Sequence, residues 1–176
     1  MKLERAREML TRLDRLTTGE RAALKRSLGR TLPTASQGAV LAFYHAFPAV
    51  ARGEEMPCFL CACGVCAMDR LDGREQSFVD ALRRLSPEEY KEGTRAKFRA
   101  LLDTPGEAEF EALLAAKVGR LLRYMKAKGA KVDFGALLRD LCDWDQPEHR
   151  VQRRWARAFF ADLKDTNSEE EKQDAD

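Results

Sequence analysis

Sulfur supplies the most concentrated chemical signal in this chain. Four of its five cysteines fall within the decapeptide Pro57–Cys66, PCFLCACGVC, at the spacing C-x2-C-x-C-x2-C. Thiolates in such density can ligate zinc, hold an iron–sulfur cluster or cycle through a disulfide. Geometry weighs against the first two. If Pro57–Met68 is one helix, Cys58 and Cys66 stand about 12 Å apart along its axis, whereas a zinc ion bonded at about 2.3 Å gathers its sulfurs within about 4 Å of one another. The spacing also lacks the long gap that lets two cysteine pairs converge. No charged side chain interrupts Pro57–Met68. A segment apolar on every side is a buried helix, in which free cysteine acts as a small hydrophobe. Cys142 is expected to join the same core.

Other reactive groups are thin. His45 and His149 are the only histidines, and their surroundings are unrelated: His45 falls near a helix end and His149 in a first turn after Pro147. Neither G-x-S-x-G nor a Walker-type glycine loop is present, so a nucleophile, its base and an orienting group cannot be assembled from sequence. Asp140, Asp143 and Asp145 cluster around Trp144 in a way that could suggest a divalent metal. Asp145 is better used as a helix N-cap, and the other two as structural carboxylates.

The cations are more informative. Lys117–Arg157 holds eleven lysines and arginines against five acids. Arg150, Arg153, Arg154 and Arg157 recur at three- and four-residue spacing around Trp155, on one helical face. Arg120, Arg123 and Lys126 share another segment, Lys25, Arg26 and Arg30 a third, and Arg95, Lys97 and Arg99 a fourth. The net charge of +2 over 176 residues hides a division: Asp165–Asp176 carries six acids and one lysine, which leaves +7 on residues 1–164. Planar guanidinium suits phosphate, and phosphate contacts carry no sequence information, so a backbone-gripping protein is implied and not a base reader.

The elements that must carry these residues are helical throughout. Thr17-x-x-Glu20 reads as a capping box. Ser86-Pro87-Glu88-Glu89 and Thr104-Pro105-Gly106-Glu107 read as helix starts with proline at the first position. Asp133 is placed to cap FGALLRDLCDW, Asp145 to cap the last helix, and Gly129 to end the helix before it. Leu113, Leu114, Val118, Leu121, Leu122 and Met125 form one stripe. The expected class is an all-α bundle of about eight helices with a disordered acidic tail at 165–176. Residues 1–164 are expected to form one helical domain, with division into lobes 1–85 and 86–164 as the alternative. Forty-four per cent apolar and 34% charged residues fit a globular chain. The N-terminus reads as neither signal peptide nor membrane span, and an odd cysteine count argues for a reducing cytoplasm.

Several of these segments, in order, resemble the CasB-type small subunit of the type I-E CRISPR Cascade complex: GERAALKRSLGR (19–30), AFYHAFP (42–48), RAKFRALLD (95–103), LLRYMKAKGAKVDFGALLRDLCDW (121–144) and VQRRWARAFF (151–160). The resemblance implies a non-catalytic, all-helical subunit without cofactor or metal. It would pair with a second copy of itself, pack on other Cascade subunits, and help hold the guide RNA, the target DNA strand and the displaced strand. It would place nucleic-acid contacts at Arg26, Arg30, Arg95, Arg99, Arg120, Arg123, Lys126, Arg153, Arg154 and Arg157, and leave Trp144 and Trp155 to packing. The cysteine-rich helix, where the family usually uses aliphatics, and the acidic tail depart from its pattern. Two rival readings stand beside it: a cysteine-ligated metal or redox protein, and a free-standing helical DNA-binding regulator.

Overall fold

A computed structural model describes residues 1–68, 75–85 and 91–161. The expected cap at Ser86 and the acidic tail at 165–176 lie outside those residues. Within them are nine α-helices: α1 (Leu3–Thr11), α2 (Thr18–Arg26), α3 (Gln37–Ala46), α4 (Glu55–Met68), α5 (Phe78–Arg84), α6 (Lys91–Leu102), α7 (Glu111–Ala127), α8 (Phe134–Cys142) and α9 (Arg150–Phe159). The described residues form no β-strand, only a single bridge between Gln76 and Val132.

The cysteine stretch lies on α4, and α4 is the axis of the fold, packed by α2, α7 and α8. Cys58, Cys61 and Cys63 are fully buried, and Cys66 nearly so. Pro57 sits in the first turn, where its missing N–H costs no internal hydrogen bond. Gly64 is the contact point with α8: a Cβ there would fall 2.3 Å from the Phe134 ring. Around this axis α1 lies along α8, α3 on α2, α6 on α7 and α9 on α5. Each fully buried Phe or Leu, such as Phe59 or Leu60, contributes about 1.5–3 kcal/mol by leaving water. Among the described residues no helix is long and apolar enough to cross a membrane.

Local signals held where they are short-range. Thr17 Oγ1 accepts from the Glu20 N–H, and the Glu20 carboxylate accepts from the Thr17 N–H, closing the expected box. Asp133 Oδ1 accepts from the Ala136 N–H at 2.9 Å, and Gly129 ends α7 at φ 71°. Two expected starts did not hold. Thr104 closes α6 instead of opening α7: its hydroxyl donates to the Ala100 carbonyl at 2.9 Å, and α7 begins only at Glu111 after a 3-10 turn. Asp145 caps nothing; α9 starts at Arg150 after Glu148 (φ 68°) and His149 (φ 50°), with no side-chain cap.

Candidate nucleic-acid interface

The last helix shows how packing sorts its residues. Val151, Gln152, Trp155 and Phe159 are buried, while Arg153, Arg154 and Arg157 are exposed. Trp155 stacks on Phe78 at 5.0 Å and meets Trp144 edge-on at 5.2 Å, so both tryptophans are packing residues. Its indole N–H donates to Asp140 at 2.8 Å. Asp140 is 7% exposed and is the polar hub of this junction. It also accepts two hydrogen bonds from Arg139, at 3.0 and 2.8 Å, and an ion pair from Arg154 at 2.6 Å. A buried carboxylate needs such partners to offset its lost hydration.

α6 adds two more cations beside the end of α9. Phe98 stacks on Phe159 at 4.3 Å, and the Arg99 guanidinium lies over the Phe160 ring at 5.8 Å. Arg95 is one turn earlier on α6, half-buried. Arg95, Arg99, Arg153, Arg154 and Arg157 thus belong to one region, built by the α6–α9 aromatic contacts.

The second region forms where α2 ends against α7. A Cβ on Gly119 would fall 2.4 Å from the Gly29 Cα, so the two backbones touch there. Gly29 has φ 81°, the left-handed conformation that turns the chain after α2. This crossing sets the segment carrying Arg26 and Arg30 beside the turns carrying Arg120 and Arg123. The Arg123 guanidinium donates to the Leu28 carbonyl, one of the groups left open where α2 ends. Arg30 donates to the Thr34 carbonyl at 3.3 Å. Lys126 is exposed in the last turn of α7. No ion pair joins Arg26, Arg95, Arg120, Arg153 or Arg157 to a described carboxylate.

The ten expected cations therefore fall into two regions and not into one list. Two of them also serve the fold, which the sequence did not reveal: Arg123 at the end of α2 and Arg154 on Asp140. Sequence reasoning counted Lys117 among the cations without giving it a role. Its ammonium donates to the Ala100 carbonyl at 2.6 Å and to Thr104 Oγ1 at 2.8 Å, holding α7 to the end of α6.

The other chemically capable groups are engaged elsewhere. Burial pushes the Cys58 thiol up to about 12 and the Cys66 thiol to about 11, and raises Cys61 and Cys63 as well. At neutral pH these side chains stay protonated and poorly nucleophilic. Among the described residues no three His, Cys, Asp or Glu side chains gather as a metal-binding group. The aspartates near Trp144 have separate partners: Asp140 is the hub above, Asp143 accepts from the Met1 ammonium at 3.1 Å, and Asp145 lies against Gly106. His45 pairs with Glu20 at 2.7 Å.

Known proteins match this chain in sequence family and in fold. The family described as CRISPR-associated protein Cse2 matches residues 20–160. The fold is similar to CasB from Thermus thermophilus at 26% identity and TM-score 0.68, covering 90% of this chain and 97% of that one. It is also similar to CasB from M. ruber at 20% identity and TM-score 0.72, covering 93% and 97%. A chain of a "CRISPR RNA-guided surveillance complex" matches at 19% identity and TM-score 0.72, covering 95% and 98%. No curated protein sequence matches the chain. With four-fifths of its length matched by the family and 90% of it covered by a CasB structure, the chain belongs to the CRISPR-associated Cse2 family, the CasB-type family its sequence resembles.

Proposed function

We propose that the chain is a non-catalytic small subunit of a type I-E RNA-guided surveillance complex (Cascade), working in the cytoplasm. It grips the phosphate backbone of the guide–target hybrid and of the displaced strand. The observation that carries this reading is the grouping of nine arginines on helices and their turns in two regions, eight of them without a described carboxylate partner. A related chain in a surveillance complex supports the setting. The physics agrees with the role. Exchanging a DNA duplex for an RNA–DNA hybrid is nearly balanced, so cations that hold the opened strands tip it. Stacking platforms for single-stranded bases are not needed, because the guide reads sequence and the subunit reads charge.

In this reading the neighbours are the other Cascade subunits and a second copy of the chain. The test is a salt titration of DNA binding by the assembled complex. Two double variants, Arg26→Glu/Arg120→Glu and Arg153→Glu/Arg157→Glu, address one region each and spare Arg123 and Arg154. Each lost phosphate contact should make the log–log salt dependence shallower by about 0.9 for duplex and about 0.7 for single-stranded DNA. Salt slopes identical to the unaltered complex for both variants would sink the proposal.

A further inference from the structure

A second surface of the molecule is acidic. Between the end of α6, the end of α8 and the start of α9 lies a cleft of about 400 Å³. Asp103, Glu107 and Asp145 line it, with His149 at the rim and Trp144 and Gln152 in its wall. No arginine or lysine lines it, although Lys117 lies behind Thr104, its ammonium engaged by that hydroxyl and the Ala100 carbonyl. The frame is fixed from several sides. The Trp144 indole N–H donates to the Thr104 carbonyl at 3.0 Å. Gln152 Nε2 donates to the Trp144 carbonyl at 2.9 Å. Gly106 fits so tightly that a Cβ on it would stand 2.6 Å from the Asp145 Cβ.

One group in this frame is unsatisfied. Gln152 is 6% exposed, yet its Oε1 accepts no hydrogen bond. Turning the amide over does not help, since it would set oxygen against the Trp144 carbonyl oxygen. A buried acceptor left open costs free energy that a donor can recover. The backbone at the rim points the same way. Glu148 and His149 adopt consecutive left-handed conformations without being glycine, and such strain tends to persist at sites where it serves a purpose.

We propose that this cleft is a socket for an arginine side chain presented by a neighbouring protein subunit. The carboxylates call for a cation and repel nucleic acid. They do not converge tightly enough for a metal ion, because no metal-binding group of three occurs among the described residues. A guanidinium suits separated acceptors, because its five donors fan out in a plane. Lysine offers three donors from a single point. The socket is therefore a protein-docking site, chemically opposite to the arginine regions, and it does not depend on their proposed role.

The 176-residue chain is titrated with N-acetyl-arginine amide, followed by the NMR signals of the Trp144 indole N–H and the Gln152 amide. The expected result is a saturable shift of both signals, with the lysine and citrulline counterparts binding more weakly. Asp103→Asn/Asp145→Asn changes exposed side chains only, so it retains the fold and should weaken arginine binding by about tenfold. Gln152→Leu should weaken it too, with a thermal melt confirming that the variant is folded. The proposal is overturned if the shifts do not saturate or if citrulline matches arginine. It is equally overturned if the double variant binds unchanged, or if magnesium or calcium alone saturates the same signals.

Discussion

α4 and α9 each concentrate one chemically distinctive residue type, sulfur in the first and guanidinium in the second, and the fold treats them in opposite ways. α4 is apolar on every side and is wrapped by three helices, so its thiols are hidden and held protonated. α9 is apolar on one stripe, so its tryptophan and phenylalanine turn inward and its arginines outward. Residue type proposed a reaction centre at α4. Periodicity around the helix decided otherwise. Chemistry becomes available only where the pattern leaves a side chain at the surface, and here that is the arginines.

The contrast can be broken first at its anchor. Trp155→Ala removes the ring that stacks on Phe78 and donates to Asp140; urea unfolding should record a loss of about 3–5 kcal/mol. A loss well under that would mean α9 is not held by its inner stripe. Next comes Cys61→Ser, which sets a hydroxyl in the fully buried environment of α4 at a cost of about 1–3 kcal/mol. A neutral outcome would show that α4 tolerates polarity and is not the dry axis described above.

A smaller effect is expected from Glu20, on the surface where α2 meets α3. The His45 hydrogen bond first, then those from Thr17, hold its carboxyl at about 2, below the ordinary 4.5. A carboxyl depressed on folding stabilises the fold above its unfolded pKa, and that contribution is lost as pH falls through the folded value. Urea midpoints of the native chain should therefore exceed those of Glu20→Gln above pH 4.5 and converge with them towards pH 2. A gap that stays constant across that range would dissociate the pair from stability. Smallest of all, Arg153→Ala and Arg157→Ala should each change stability by no more than about 0.5 kcal/mol. In the same variants the salt dependence of DNA binding should still become shallower, which separates surface function from packing.

Much of this was legible in the sequence because it is local. The Thr17–Glu20 box, the Asp133 cap, the Gly129 stop and the all-round apolarity of Pro57–Met68 each depend on residues within a few positions of one another. Ser36 and Ser77 cap α3 and α5 by the same local logic, with Ser77-x-x-Asp80 the plainer signal. What sequence could not supply is long-range demand. Thr104 looks like a helix start, but Lys117 and Trp144 claim its hydroxyl and its carbonyl, and both lie far along the chain. Arg123 and Arg154 look like their exposed neighbours until the α2–α7 crossing and the burial of Asp140 assign them partners. The split of ten cations into two regions follows from those crossings and from no spacing within a single segment.

The meeting of Gly29 with Gly119 carries one further consequence. The missing methyl group at Gly119 lets main chain rest on the main chain of Gly29, so the separation of the charged segments flanking the crossing is set by atomic radii and not by adaptable side chains. Such a gauge has no slack. Alanine at 119 would force the two segments apart, and alanine at 29 would strain its left-handed turn, so these two unreactive residues govern the spacing of the charged ones beside them.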